Sequence, residues 1–157
     1  MTEIVFVCWG NICRSPMAER VARQHLDRAG LDRVQVSSAA TSREETGAPI
    51  DSRARHTLTE AGYDASGHRA HQVRAGEIEA ADLVVAMEQI HVDRMRSITG
   101  HENPNVVLLS SFDPGAEPGE GVPDPWYGGQ SGFTQTLEMI ERAMPGLVDR
   151  ARELEAR

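Results

Sequence analysis

Three short apolar runs mark the chain, Ile4 to Cys8, Leu83 to Met87 and Val106 to Leu109, and each reads as a short strand, Ile4 to Cys8 as a buried one. Val34 to Ser38 reads as a further strand between the first and second of them. Between them the apolar positions recur at helical spacing. Pro16 to Ala29 predicts a helix with Met17, Val21, Leu26 and Ala29 on one face, Pro16 in its first position and Gly30 as its stop. Asp51 to Ala61 predicts a second helix, stopped by Gly62, Ala75 to Ala81 a short third, and Glu88 to Ile98 a fourth. Phe133 to Leu154 carries one stripe of Phe133, Leu137, Ile140, Met144, Val148 and Ala151, which Pro145-Gly146 is expected to kink or split. Phe112 to Gly129 is rich in Gly, Pro and Asp and reads as a long functional loop.

Apolar strands alternating with helices imply an α/β fold. The expected architecture is a single domain over residues 1–157, with a four-stranded parallel sheet and helices on both faces, in a Rossmann-like arrangement. Ligands of such sheets bind beyond the carboxyl ends of the strands. At that end of the first strand the chain reads Cys8-Trp9-Gly10-Asn11-Ile12-Cys13-Arg14-Ser15 and then enters a helix. A loop closing onto a helix N-terminus turns backbone N–H groups toward an anion. Arg14 adds a planar fork that grips two oxygens, and Cys8 a nucleophile that positive charge activates. Gly10 and Asn11 tolerate the left-handed backbone such a loop requires.

Composition narrows the partners. The formal net charge is −8, so nucleic acid is not expected. All 16 basic residues are arginine, which excludes lysine-dependent Walker or Schiff-base chemistry. No run approaches a membrane span, and Glu3 interrupts any signal-peptide pattern. Two cysteines form no disulfide framework, and a reducing cytoplasm is the expected location, without excluding export by another route. His68 and His71 stand at i, i+3, but no cysteine or third histidine is close in sequence, so no metal is expected. The other four histidines read as surface or helix-edge residues.

The segment Cys8 to Ser15, continuing through Pro16-Met17-Ala18-Glu19, resembles the signature of the low-molecular-weight protein tyrosine phosphatases. Asp124-Pro125-Trp126-Tyr127-Gly128 is similar to the family's Asp-Pro-aromatic-Tyr-Gly loop. Ser38-Ala39-Ala40-Thr41, Gly47-Ala48-Pro49 and His68-Arg69-Ala70 match more weakly, in the family's order. The resemblance implies hydrolysis of phosphotyrosine in a protein or peptide through a cysteinyl-phosphate, without cofactor or metal, by a monomer or weak dimer. It implies Cys8 as nucleophile, Arg14 as phosphate ligand and Asp124 as general acid and then base. Asp113-Pro114 is the nearest rival for that last role, and the aromatics after Asp124 decide between them. Trp9 to Arg14 would form the phosphate-binding loop, with Asn11 pinned by Ser38 and His68. Ser15 would donate to the Cys8 sulfur, cap the helix before Pro16, or do both.

Trp9, Trp126 and Tyr127 would wall a slot for an aromatic ring, loop packing being the alternative. Trp126 replaces the family's usual tyrosine, and Trp9 is bulkier than many residues at its position. Thr41 to Thr46 would form the opposite rim. The resemblance also implies a reversible Cys8–Cys13 disulfide, against the alternative that Cys13 is simply a buried thiol. Arsenate reductases of this fold need further cysteines, which the chain lacks. Protein-arginine phosphatases carry a smaller, polar residue where this chain has Ile12.

Overall fold

Strands β1 (Thr2–Cys8), β2 (Val34–Ala40), β3 (Leu83–Ala86) and β4 (Val106–Leu108) pair in parallel in the order β2-β1-β3-β4. The computed structural model describes every residue, Met1–Arg157. The register sets Cys8 opposite Ala40 and Val7 opposite Ala86, so the ends of β1, β2 and β3 lie level. The chain leaves β1 toward β2 on one side and leaves β3 toward β4 on the other. The crevice between β1 and β3 is therefore the switch point where ligands of such sheets bind.

Side chains alternate across the sheet. Ile4, Phe6, Leu83 and Val85 join the larger core with residues of α1 (Arg14–Arg28), α2 (Ser52–Glu60) and α5 (Gln130–Glu155). Val5, Val7, Val84 and Ala86 pack on the other face with Ile78 of α3 (Ala75–Ala80) and Met95 of α4 (Gln89–Thr99). Helices thus cover both faces, as the pattern predicts.

Several local expectations change. Helix α1 begins at Arg14 rather than Pro16, with Cys13 at the N-cap position. Ser15 is therefore not the cap, and its hydroxyl is free for the site. Pro16 still fits, because the N–H it lacks is one of the orphan donors of the first turn. Leu109 leaves the sheet to start a 3₁₀ turn, Leu109–Phe112. The expected loop contains a second such turn, Pro125–Tyr127.

Helix α5 is not split: it runs unbroken through Pro145. Its inner stripe buries Phe133, Leu137, Ile140, Met144 and Leu147, with Leu147 rather than Val148 turned fully inward. Each large buried side chain contributes about 1.5–3 kcal/mol, against about 3 kcal/mol for an interior proline on the exposed side. Packing wins. Gly146 answers a different demand. A Cβ there would stand 2.6 Å from the Phe112 carbonyl oxygen and 3.1 Å from Phe112 Cβ. Gly146→Ala is accordingly expected to destabilise the fold by about 1–3 kcal/mol despite its better helix propensity. At about 2–4 °C per kcal/mol, that is a drop of several degrees in Tm, read by thermal unfolding. An unchanged or raised Tm would refute the close-approach argument.

Candidate active site

The loop from Cys8 to Arg14 is built around one unusual residue. Asn11 has φ +59°, the only left-handed backbone outside glycine. That conformation costs about 1–2 kcal/mol for an L-residue. Four contacts offset it. Its Nδ2 donates to Ser15 Oγ at 2.8 Å and Ser38 Oγ at 2.9 Å. Its Oδ1 accepts the His71 N–H at 3.2 Å, and its carbonyl meets His68 Nε2 at 2.6 Å. The expected network of Asn11, Ser38 and His68 therefore exists behind the loop. Gly10 is not left-handed. A Cβ there would make only ordinary contact, 3.4 Å from Glu45 Cγ, so neither backbone conformation nor close approach requires glycine at this position.

The network reaches further than sequence indicates. Ser38 Oγ donates to Glu19 Oε1 at 2.6 Å. Glu19 is buried and paired with Arg20 at 3.0 Å and Arg23 at 2.8 Å. A buried carboxylate anchored by two arginines thus braces the loop through Ser38 and Asn11.

Cys8 is buried, with Sγ 3.0 Å from Ser15 Oγ. Ser15 already accepts from Asn11, so its single hydrogen goes to the sulfur or to the Ala39 carbonyl, which is farther at 3.4 Å. Cys13 is also a free, buried thiol. Burial pushes it far above its usual range, and the charge of Asp51 adds to the shift, so it stays protonated at neutral pH.

Arg14 is almost fully buried and held from three sides. Its Nη1 donates to the Glu88 carboxylate and, at 2.9 Å, to the Val122 carbonyl. Its Nη2 lies 3.5 Å from Asp124 Oδ2. Glu88 and Val122 are residues that sequence reasoning missed. Glu88 follows the carboxyl end of β3, and charged residues at strand ends beside the switch point are the signal that finds it. Glu88 packs over Gly121, where a Cβ would stand 2.9 Å from its Cγ. Its N–H donates to His91 Nδ1 at 3.1 Å. His91 is thus neither surface nor edge but buried. Desolvation, helped by the charges of Arg14 and Arg94, lowers its pKa to about 3 and keeps it a neutral acceptor.

Asp124 caps the turn that follows it, its Oδ1 accepting the Trp126 N–H at 3.0 Å. Its rival Asp113 pairs instead with Arg142 at 3.3 Å and accepts the Gly115 N–H. A pocket of about 200 Å³ collects Cys8, Arg14, Asp124 and Ile12 with the rings of Trp9, Trp126 and Tyr127. Tyr127 is 91% exposed and Trp126 43%, so these rings stand at the mouth. Glu44 and Glu45, within the rim expected over Thr41 to Thr46, line the same pocket. Trp9 is fixed at its edge by Glu44, Nε1 to Oε2 3.2 Å, and over its face by Arg94 at 4.6 Å. A larger groove of about 770 Å³ follows the free edge of β2, but it holds neither cysteine nor histidine.

His68 and His71 do not converge on a common point. His68 faces the Asn11 carbonyl, whereas His71 pairs with Glu77 at 2.9 Å. No helix is long and apolar enough to cross a membrane.

The family model for the low molecular weight phosphotyrosine protein phosphatases matches residues 3–157. A low molecular weight protein-tyrosine-phosphatase of Streptomyces coelicolor is 42% identical over 155 residues, covering 96% of this chain and 94% of its own length. Low molecular weight protein-tyrosine phosphatase A of Mycobacterium tuberculosis is 44% identical over 149 residues, covering 94% and 90%. Among solved structures, the YwlE arginine phosphatase, in a mutant form with a phosphorylated active-site serine, superposes with a TM-score of 0.85. It is 30% identical and covered at 96% of each chain.

Proposed function

The chain belongs to the low molecular weight phosphotyrosine protein phosphatase family, and we propose that Cys8, Arg14 and Asp124 hydrolyse phosphotyrosine through a cysteinyl-phosphate. The observation that carries this reading is the meeting of thiol, guanidinium and carboxylate in one pocket rimmed by aromatic rings. In the first step the Cys8 thiolate attacks phosphorus while the P–O bond to the phenol breaks. Asp124 gives its proton to the departing oxygen, which is a poor leaving group as a phenolate. The loop N–H groups and Arg14 carry the charge of the transferring phosphoryl group. In the second step Asp124, now a carboxylate, takes a proton from water as its oxygen attacks phosphorus. The sulfur leaves as thiolate, stabilised by the Ser15 hydroxyl. The products are the free tyrosine and inorganic phosphate.

Trp9, Trp126 and Tyr127 are the proposed contacts for the tyrosine ring. Large exposed apolar residues are few, namely Met1, Ile90, Trp126 and Tyr127, which supports a monomer or weak dimer. A reaction that depends on a reduced thiol suits the cytoplasm.

A second reading, phosphoarginine hydrolysis, draws support from the likeness to the arginine phosphatase. Ile12 lining the pocket beside the aromatic rings favours a phenyl ring over a guanidinium. Initial rates on matched phosphotyrosine, phosphoserine and phosphoarginine peptides, in the presence of a chelator, separate the two. Phosphotyrosine is expected to be the fast substrate by about 100-fold, the scale on which an apolar pocket rejects a poorly matched group. Faster turnover of phosphoarginine would overturn the assignment.

A further inference from the structure

The loop that carries Asp124 ends in Gly128-Gly129, two residues that do little to fix a backbone. Something else must hold it, and one side chain does. Arg53, in the first turn of α2, donates from Nη1 to the Trp126 carbonyl at 3.1 Å and the Gly128 carbonyl at 3.4 Å. Its guanidinium lies 5.1 Å from the ring centre of Trp126 and 4.7 Å from that of Phe133. The other edge of the same fork grips Asp51, Nε to Oδ1 at 3.2 Å and Nη2 to Oδ2 at 3.1 Å. Asp51 is in turn fastened to the nucleophile loop, its N–H donating to the Ile12 carbonyl at 2.9 Å. Gln130 Nε2 adds a tie from the start of α5 to the Arg53 carbonyl at 3.2 Å.

We propose that Arg53 is a positioning residue that holds the general acid in reach of the leaving group, by bridging the Cys8 loop and the Asp124 loop through Asp51. The inference rests on the phosphatase reading above. Arg53 touches neither the nucleophile nor Asp124 directly. It acts through the backbone two and four residues after the acid. A rigid planar fork is needed because three acceptors, one carboxylate and two carbonyls, lie around one group. Removing it leaves the loop held before the acid, at Val122 by Arg14 and the Met87 carbonyl, but after the acid Asp124 keeps only its own bond to the Trp126 N–H beside its 3.5 Å contact to Arg14.

A displaced acid penalises only substrates that need protonation. The test is kcat/KM of wild type, Arg53→Ala and Arg53→Lys on phenyl phosphate, whose phenolate leaves poorly, and on p-nitrophenyl phosphate, whose phenolate leaves unaided far more readily. Arg53→Ala is expected to lose about 10- to 100-fold on the first and less than about threefold on the second, part of the 10²–10⁴ a general acid supplies. Arg53→Lys, which keeps stem and charge but loses the fork, is expected to show the same split at smaller amplitude. Competitive inhibition by inorganic phosphate should stay within about twofold, since the phosphate loop is intact in both variants. Equal losses on the two esters, weakened phosphate inhibition, or no loss on either would overturn the proposal. A wild type that hydrolyses neither ester would sink the phosphatase reading itself, and this inference with it.

Discussion

Cys8→Ser is expected to abolish turnover of phosphotyrosine while leaving phosphate binding almost intact. The Cys8 sulfur sits against Ser15 at the end of β1, and a serine oxygen fits the same space. What disappears is the nucleophile, since a hydroxyl is far harder to ionise than a thiol and the site offers no base beside it. Deleting a covalent nucleophile that works as part of a unit costs on the order of 10⁶ in kcat, about 8 kcal/mol. The anion-binding parts, the loop amides and Arg14, are untouched. Calorimetry with inorganic phosphate should therefore give a Kd within a few-fold of wild type, while single-turnover assays find no cysteinyl-phosphate. Retained turnover in Cys8→Ser would place the nucleophile elsewhere. Cys13→Ser is the matched control: its thiol stays protonated by burial, so kcat should survive. Its proposed separate role is to close a disulfide with Cys8, peroxide being reduced to water as two thiols become S–S. Thiol should then rescue oxidised wild type but not oxidised Cys13→Ser, and equal rescue of both would remove that role.

Arg14→Lys is expected to be nearly inactive although it conserves charge. Arg14 spends its Nη1 corner on Glu88 and the Val122 carbonyl, which leaves its remaining donors for two oxygens of the phosphoryl group. An ammonium is a single point and cannot satisfy the two anchors and two phosphoryl oxygens together. Loss of one preorganised donor to a developing oxyanion costs about 10²–10³ in kcat, or roughly 3–4 kcal/mol. Losing the fork removes more than one donor, so a fall of about 10³-fold or more is expected, with weaker phosphate inhibition as well. Steady-state rates and phosphate Ki on purified variant decide it. Near-normal kcat would mean that Arg14 is a structural partner of Glu88 and no more.

The local pattern carried a great deal. Apolar runs between amphipathic stretches defined the strands of a parallel sheet, because burial on both faces leaves no polar positions in a central strand. The loop from Cys8 to Ser15 and the aromatic-flanked Asp124 were readable because their chemistry is contiguous in sequence. Where local rules misled, tertiary packing was stronger. Proline at 145 signals a break, yet α5 continues because its buried stripe on both sides outweighs one missing N–H. Ser15 looks like a cap, yet the loop needs its hydroxyl at the sulfur. His91 looks like an edge residue, yet it buries as the acceptor of the Glu88 N–H.

Sequence by itself therefore determined the kind of chemistry and the layers that present it. Only the tertiary structure decided how the reacting groups are held. Glu88, Val122, Arg53 and Arg94 belong to no contiguous motif. They meet the site across separations such as 74 residues from Arg14 to Glu88 and 108 from Arg14 to Val122. A nucleophile loop is local because neighbouring amides must converge on one anion. The groups that orient its arginine and acid need only arrive from other strand ends and helix starts, and which of them arrive is set by the register and packing of the sheet.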